Sequence, residues 1–203
     1  GKVGVIALAG SILDLGGDTS VVDITASDLL LTAGTGIAAS GDHLETTVAN
    51  LTAKAGGGSM FLAETDGVVV RDVSVTVNRV KTDGLVDGST VTDSQEDLAT
   101  TGANGHIVLR SATGDITVTD AADVNVLGVS ANGSGNILLD AVAGSIDIQT
   151  GIASGSGNIS ILANVNVSQS AAASDIGTTG GTLDISAATG SISMVDGAVS
   201  NTG

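Results

Sequence analysis

The strongest constraint on the fold is a short unit that recurs along the chain: a glycine, a polar residue, and then two aliphatic residues separated by one position. The unit begins at Gly105, Gly114, Gly135, Gly144, Gly157, Gly181 and Gly190. Paired units start nine residues apart, and the string GSGN at Gly133 returns 22 residues later at Gly155. A fixed period of this length is the sequence signature of a repeat architecture.

Within each unit the apolar residues alternate with polar ones. In the string GSIDIQ, Ile146 and Ile148 alternate with Ser145 and Asp147. This period of two indicates a strand with one buried face. A third, weaker segment with the sequence GIAS follows. Three short strands in about 22 residues correspond to one coil of a parallel β-helix, in which successive coils lie about 4.8 Å apart.

The predicted fold class is therefore all-β, a single β-solenoid segment over residues 1–203. An antiparallel β-sandwich, which also has many short strands, is the alternative. A sandwich rarely keeps a constant glycine-to-glycine spacing, so the periodicity favours the solenoid. The composition agrees with a narrow interior of stacked small aliphatic side chains, because Phe61 is the only aromatic residue.

Two stretches interrupt the rhythm and are predicted to leave the solenoid. Residues 82–104 are polar and acidic without a strand pattern, so we expect a protruding acidic loop there. Residues 164–180 are predicted to form a smaller loop excursion. Solenoids tolerate such insertions because they map to loops on one side of the stack.

Charge limits the classes of partner. The formal net charge is −16, which argues against nucleic acid and against anionic membrane surfaces. No run of apolar residues is long enough for a transmembrane helix, so we expect no membrane insertion in this segment. The chain starts at Gly1 without Met, and we expect it to be a piece of a longer polypeptide or fibre.

Residues 29–70 carry a pattern that extends beyond the glycine units. Its most characteristic residues are Leu31, Thr32, Ala33, Gly34, Gly36, Ile37, Leu44, Glu45, Thr46, Val48, Asn50, Leu51, Gly58, Leu62 and Gly67. This block resembles a recurrent block of giant bacterial surface proteins, the β-strand-repeat, filamentous-haemagglutinin-like adhesins. The resemblance implies a right-handed parallel β-helix in a long extracellular rod. It brings no catalytic motif.

Enzymatic activity is not expected, although polysaccharide lyases and hydrolases also use parallel β-helices. Glycoside hydrolysis requires two carboxylates at a set separation. The outward Asp140, Asp147 and Asp184 are available, but the chain has no Trp or Tyr to support a sugar ring. We therefore predict no enzyme and no resident cofactor.

Calcium is the one ion for which the sequence offers candidates. Acidic calcium loops supply several oxygens within a short span. Paired carboxylates occur at 14–18, 83–87 and 93–97, without an EF-hand pattern, and solvated surface charge is the other interpretation. The first candidates for Ca²⁺ ligands are Asp93, Glu96 and Asp97. The two histidines, His43 and His106, are expected at the surface.

Two further sets of residues are candidate contact or modification sites. The bases Arg71, Arg79 and Lys81 cluster around one predicted strand and could pair with the acidic segment or with a neighbouring subunit. Candidate glycosylation sequons begin at Asn50, Asn132 and Asn166.

The expected function is structural: a segment of an extracellular fibre or adhesin stalk at the cell surface. Its partners would be copies of itself or adjacent repeats of the same polypeptide, because uncapped solenoid ends expose strand edges. The alternative is a glycan- or surface-binding adhesin module in which the 82–104 loop makes the contact.

Overall fold

A computed structural model of the chain describes residues 1–17, 20–120 and 126–203. Within these ranges all regular secondary structure is β. The strands, in chain order, are β1 (Lys2–Ala7), β2 (Ile24–Ala33), β3 (Leu44–Ala55), β4 (Met60–Glu64), β5 (Val68–Val70), β6 (Val73–Val80), β7 (Val86–Gln95), β8 (Leu98–Thr100), β9 (Ile107–Ser111), β10 (Ile116–Val118), β11 (Leu127–Ala131), β12 (Ile137–Ala141), β13 (Ile146–Ile148), β14 (Gly151–Ser154), β15 (Ile159–Ala163), β16 (Val167–Gln169), β17 (Ile176–Thr178), β18 (Leu183–Ala187), β19 (Ile192–Met194) and β20 (Ser200–Thr202).

The strands form a solenoid with three sides, and every neighbouring pair on a side is parallel. One side is the series β4, β9, β12, β15 and β18. The second side is β5, β10, β13, β16 and β19. The third side is β8, β11, β14, β17 and β20. The all-β fold, the parallel coil and its three short strands are thus confirmed.

The N-terminal coils use longer strands than the rest. Strand β1 pairs with β2, and β2 pairs with β3, all parallel. On its other edge the 12-residue β3 pairs first with β4, then with β5 and finally with β8. A single long strand therefore covers all three sides before the chain adopts three separate strands per coil.

The recurring glycine unit sets the register between coils. The first aliphatic residue of the unit occupies the same position in each coil, so that Ile107, Ile137, Ile159 and Leu183 are direct neighbours in the sheet. Ile12, Ile37 and Met60 extend this column toward the N-terminus. The interior members from Ile37 to Ile159 are at most 2% exposed. Burying one such side chain fully contributes roughly 1.5–3 kcal/mol.

The glycines that open the units are required by the close approach of successive coils. A Cβ atom at Gly135 would overlap the carbonyl oxygen of Gly105, and one at Gly157 would overlap that of Gly135. Gly181 repeats the same relation with Gly157. None of these four residues has a positive φ. The close backbone contact between successive coils, rather than an unusual backbone angle, therefore excludes a side chain at these positions.

Polar side chains at the corners bond to backbone groups. Inside one corner, the Ser154 hydroxyl donates to the Gly135 carbonyl at 2.7 Å and accepts from the Gly157 amide at 3.0 Å. Outside it, the Asn158 amide donates to Asn136 Oδ1 at 2.8 Å, and the Thr182 amide donates to Asn158 Oδ1 at 2.9 Å. These bonds satisfy backbone groups that the bend removes from the strand ladder.

The expectation of an irregular loop at 82–104 is corrected by the structure. Strands β6 and β7 form an antiparallel hairpin that lies against the solenoid, and β8 is already back in the third side. The hairpin packs through Val73 and Val75 onto the outward Leu30. Because β6 supplies this apolar contact, β7 can form a strand from polar residues without an alternating pattern.

The predicted excursion at 164–180 is likewise replaced by regular structure. Strand β16 pairs with β13 and β19, and β17 pairs with β14 and β20. The pattern is obscured because Gln169 occupies an interior position that Ile148 and Met194 hold in the neighbouring coils. Its amide is satisfied internally by donating to the Ser174 carbonyl and accepting from the Ser200 hydroxyl.

The alternation of inward and outward residues predicts a large difference between adjacent substitutions. Ile161 is fully buried and Ser160 points outward on the same strand. We expect Ile161→Ala to lower the free energy of unfolding by about 2–5 kcal/mol because it leaves an interior cavity. Ser160→Ala should change it by less than about 0.5 kcal/mol. Denaturant unfolding followed by far-UV circular dichroism measures both, and equal effects would contradict the assigned strand faces.

Candidate functional site

The acidic residues that the sequence singled out for calcium do not converge. Asp93 lies on β7 opposite Val75, Glu96 is exposed, and Asp97 is 5% exposed at the junction with β8. Their carboxylates do not form a group of three within 4.8 Å of one another. The calcium prediction therefore has no geometric support at these residues.

Asp97 and Gln95 instead attach the hairpin to the solenoid. Asp97 has φ 65° and its carbonyl accepts from the Thr52 hydroxyl at 2.8 Å and the Ala53 amide at 2.9 Å. The Gln95 side chain accepts from the Thr32 hydroxyl at 2.7 Å and donates to the Leu31 carbonyl at 3.0 Å. An open polar groove of about 450 Å³ runs beside this junction.

The three clustered bases separate in the structure. Lys81 pairs with Asp83 of the acidic segment at 3.8 Å, at the turn of the hairpin. Arg79 is exposed on β6, and Arg71 lies half-buried just after β5. Pairing with the acidic segment is therefore seen for Lys81, and contact of these bases with another subunit stays a prediction.

The sequon asparagines have different environments. The Asn50 side-chain amide donates to Asp28 Oδ1 at 3.0 Å, so the nitrogen that would carry a glycan is engaged. Asn132 and Asn166 are exposed at corners. Asn166 Oδ1 accepts from the Ser191 amide at 2.9 Å, and this bond does not use the side-chain nitrogen that would carry a glycan. Glycosylation stays a prediction.

The histidines have structural surroundings. His106 is exposed, and its Nδ1 accepts from the Asn136 amide at 2.9 Å, in the same corner ladder as Asn158. His43 is half-buried with its ring centroid 5.7 Å from that of Phe61. Burial lowers the pKa of His43, and the nearby Arg110 adds to this effect.

A different group of acids does converge, at the N-terminal end of the solenoid. One oxygen from each of Asp14, Asp23 and Glu45 lies within 4.8 Å of the other two. We call these three residues the carboxylate cluster. Among the described residues it is the one group of three potential metal ligands that meets this distance. Asp18, which the sequence paired with Asp14, lies outside the described residues.

Local hydrogen bonds hold the carboxylate cluster together. The Asp23 amide donates to the Glu45 carbonyl at 2.9 Å, and the Glu45 amide donates to Asp23 Oδ2 at 2.9 Å. Asp14 follows Ile12, which bridges to Ile37 of the next coil. The Gly17 amide donates to Asp42 Oδ2 at 3.2 Å and so attaches the same segment to the following coil.

Glu45 is the electrostatically unusual member. It is only 6% exposed, and its Oε2 atom is buried without a hydrogen-bond partner among the described residues. Burial, together with the negative charges of Asp23 and Asp14, raises the pKa of Glu45 to about 7. A carboxylate that has one buried oxygen without a donor and two like charges beside it is destabilising when ionised.

Glu64 shows how the same fold satisfies a buried carboxylate. It is 2% exposed, and burial raises its pKa. Its two oxygens accept from the Thr46 hydroxyl at 2.6 Å and from the Val48 amide at 3.0 Å. Val48 lies between the part of β3 that pairs with β4 and the part that pairs with β5. The Glu64 carboxylate therefore accepts the hydrogen bond of an amide that has no strand partner on that edge. Its role is structural.

The two ends of the solenoid are the other unusual surfaces. Among the residues that the structure describes, strands β18, β19 and β20 have neighbours on one side only, and so does β1. The inward-facing Ile192 and Met194 are each 49% exposed, whereas Val167, one coil earlier, is 1% exposed. An interior column and its strand edges are therefore open to solvent at the C-terminal end.

Sequence reasoning missed Glu45 and Asp23 because they are far apart in the chain. Their separation is 22 residues, which is one coil of the solenoid, so that period places them in adjacent coils. Searching for acids one coil apart, rather than within a short loop, would have found this pair.

Comparisons with protein-family models, with curated proteins and with solved structures find no significant match to this chain. Within the described ranges, no helical segment has the length and apolar character needed to cross a lipid bilayer. The functional assignment therefore depends on the geometry of the chain itself.

The raised pKa of Glu45 predicts a pH-dependent stability. The folded state favours the protonated carboxyl, so its stabilising contribution is complete below pH 4.5 and is lost as the pH rises through about 7. In metal-free buffer, the wild type should lose on the order of 2 kcal/mol across this window relative to Glu45→Gln. Denaturant unfolding at several pH values measures the difference. Parallel pH profiles for the two proteins would contradict it.

Proposed function

We propose that this chain is a segment of a rod-like stalk or fibre at the cell surface, built as a right-handed solenoid that continues through further coils. The further coils would belong to the same polypeptide or to another copy of this chain. The proposal is supported chiefly by the open C-terminal end, where Ile192 and Met194 present an interior column to solvent. An interior column is favourable only when another layer covers it.

The pattern of hydrogen bonds suits a stalk. Successive coils are joined by backbone ladders on three sides, and these bonds lie along the axis of the stack. Outward ion pairs such as that between Arg110 and Asp140, at 2.8 Å, also connect adjacent coils. Axial tension is therefore shared among many parallel bonds.

The charge of the chain supports the same assignment. A net charge of −16 keeps the outer faces mutually repulsive, so that lateral aggregation of rods is disfavoured while end-to-end stacking buries apolar surface. The apolar surface available for such stacking at the C-terminal end includes the half-exposed Ile192 and Met194.

A second candidate function is adhesion through the hairpin. Its distal half extends beyond Val75, the last residue of β6 that is buried. Val80, Leu85 and Val86 at its turn are 69%, 63% and 54% exposed. Exposed apolar residues at the end of a protruding hairpin suit contact with a glycan or another surface.

End-to-end stacking predicts a matched pair of substitutions with different outcomes. Ile192→Lys places a charge in the exposed interior column, and Ser193→Lys places the same charge on the outward side of the same strand. We expect Ile192→Lys to reduce concentration-dependent association by at least about tenfold, because it opposes burial of the open end. Analytical ultracentrifugation and electron microscopy measure association and particle length. Equal association of both variants would contradict the proposal.

The adhesion candidate is tested by shortening the hairpin. Replacing residues 78–90 by a two-residue Asn-Gly turn connects the strand partners Val77 and Val91 and keeps the docked base with Val73, Val75 and Gln95. Loss of binding to a glycan array or to cell surfaces, with end-to-end association unchanged, would assign adhesion to the hairpin. Absence of binding by the unmodified protein would leave the stalk function alone.

A further inference from the structure

We propose that the carboxylate cluster formed by Asp14, Asp23 and Glu45 is a divalent-cation site, and that Ca²⁺ is the ion it binds. This inference goes beyond the proposed stalk function and does not depend on it, since a cation could bind here whether or not the ends stack. It also moves the calcium site away from the hairpin residues that the sequence suggested.

The spacing of the oxygens fits one shared ion. Calcium–oxygen distances are about 2.3–2.6 Å, so two oxygens on the same ion are at most about 5 Å apart. One oxygen from each of the three residues lies within 4.8 Å of the others. Three carboxylates can therefore contact a single ion with only small adjustments of their side chains.

The burial of Glu45 provides an independent reason to expect a ligand. The residue is only 6% exposed, and its Oε2 has no hydrogen-bond partner among the described residues. Neither Asp23 nor Glu45 forms an ion pair with a described Lys or Arg. Buried carboxylates are ordinarily paired, hydrogen-bonded or bound to a metal. The buried carboxylate of Glu64, in the next coil, accepts hydrogen bonds at both oxygens, in contrast to that of Glu45.

The donor set distinguishes among cations. All three ligands are carboxylates, and hard cations such as Ca²⁺ and Mg²⁺ prefer oxygen. Zinc sites usually contain Cys or His, and the cluster contains neither. Asp14 and Asp23 lie in irregular segments and Glu45 lies on β3. Ca²⁺ accepts irregular geometry, whereas Mg²⁺ requires a near-ideal octahedron.

A bound cation would connect three successive parts of the N-terminal region. Asp14 follows the bridge between Ile12 and Ile37, Asp23 directly precedes β2, and Glu45 is the second residue of β3. One ion would thus fasten the segment that joins the first two coils onto the third. It would also remove the repulsion among three carboxylates, which opposes folding when no cation is present.

Calcium titration of the intact chain tests the proposal. The protein is first treated with EDTA and dialysed, and then titrated with CaCl₂ at about 0.15 M salt by isothermal calorimetry. Because the chain has no Trp or Tyr, thermal unfolding is followed by circular dichroism. We expect one saturable Ca²⁺ per chain, a dissociation constant between about 10 μM and 1 mM, and a higher unfolding temperature.

Two variants with the same chemical change give the control. Glu45→Gln should weaken Ca²⁺ binding by at least about tenfold and raise the unfolding temperature of the metal-free protein. Glu96→Gln removes an exposed acid on the hairpin junction and should behave as wild type in both respects. If Glu45→Gln does not fold, Asp14→Asn, in the half-exposed joining segment, is the second variant, with the same expected loss of binding.

The proposal is overturned by any of three results. These are absence of saturable Ca²⁺ binding to the wild type, equal loss of binding in Glu96→Gln, and Mg²⁺ binding as tight as that of Ca²⁺. None of these results bears on whether the solenoid ends associate, so the cation site and the stalk function are separately testable.

Discussion

The structure depends on the in-register parallel pairing of each coil with the next. Ile107, Ile137 and Ile159 occupy one column because the backbone bonds on each side keep equivalent residues directly above one another. That alignment places small aliphatic side chains in continuous interior stacks and removes any need for aromatic residues. It also brings the corner glycines so close together that a Cβ at Gly157 would overlap the carbonyl of Gly135. The short distance between successive coils therefore requires glycine at these corners.

Local periodicity was sufficient to predict the regular coils but not the departures from them. The nine-residue pairs of glycines correspond to successive sides of one coil, and their alternating residues point in and out as predicted. The hairpin was missed because β7 packs on the outside of the solenoid through its partner strand, which leaves its own sequence largely polar. The strands within residues 164–180 were not predicted because the polar Gln169 suggested a surface position. It is buried instead, and its side-chain amide is satisfied by hydrogen bonds inside the solenoid.

The candidate site could not be predicted from local spacing, since its residues are neighbours only after the chain has coiled. Asp23 and Glu45 are one coil apart, and Asp14 joins them through the segment between the first two coils. The same stacking that aligns apolar residues in the interior thus aligns carboxylates at the N-terminal end. At the C-terminal end it leaves an uncovered layer, so the proposals for a cation site and for axial stacking both follow from one geometric rule.

Distances between spin labels on one outward column test that rule most directly, and the absence of native cysteine makes the labelling specific. Ile6, Thr32, Lys54, Ala99, Ser130, Ala153, Gly177 and Asn201 are successive neighbours along the third side. Labels at Ile6 and Ala153, five layers apart, should be separated by about 24 Å, and labels at Ile6 and Asn201, seven layers apart, by about 34 Å. Lys54 and Asn201, also five layers apart, should match the first pair. Distances that do not increase by about 4.8 Å per layer would contradict the stacked solenoid.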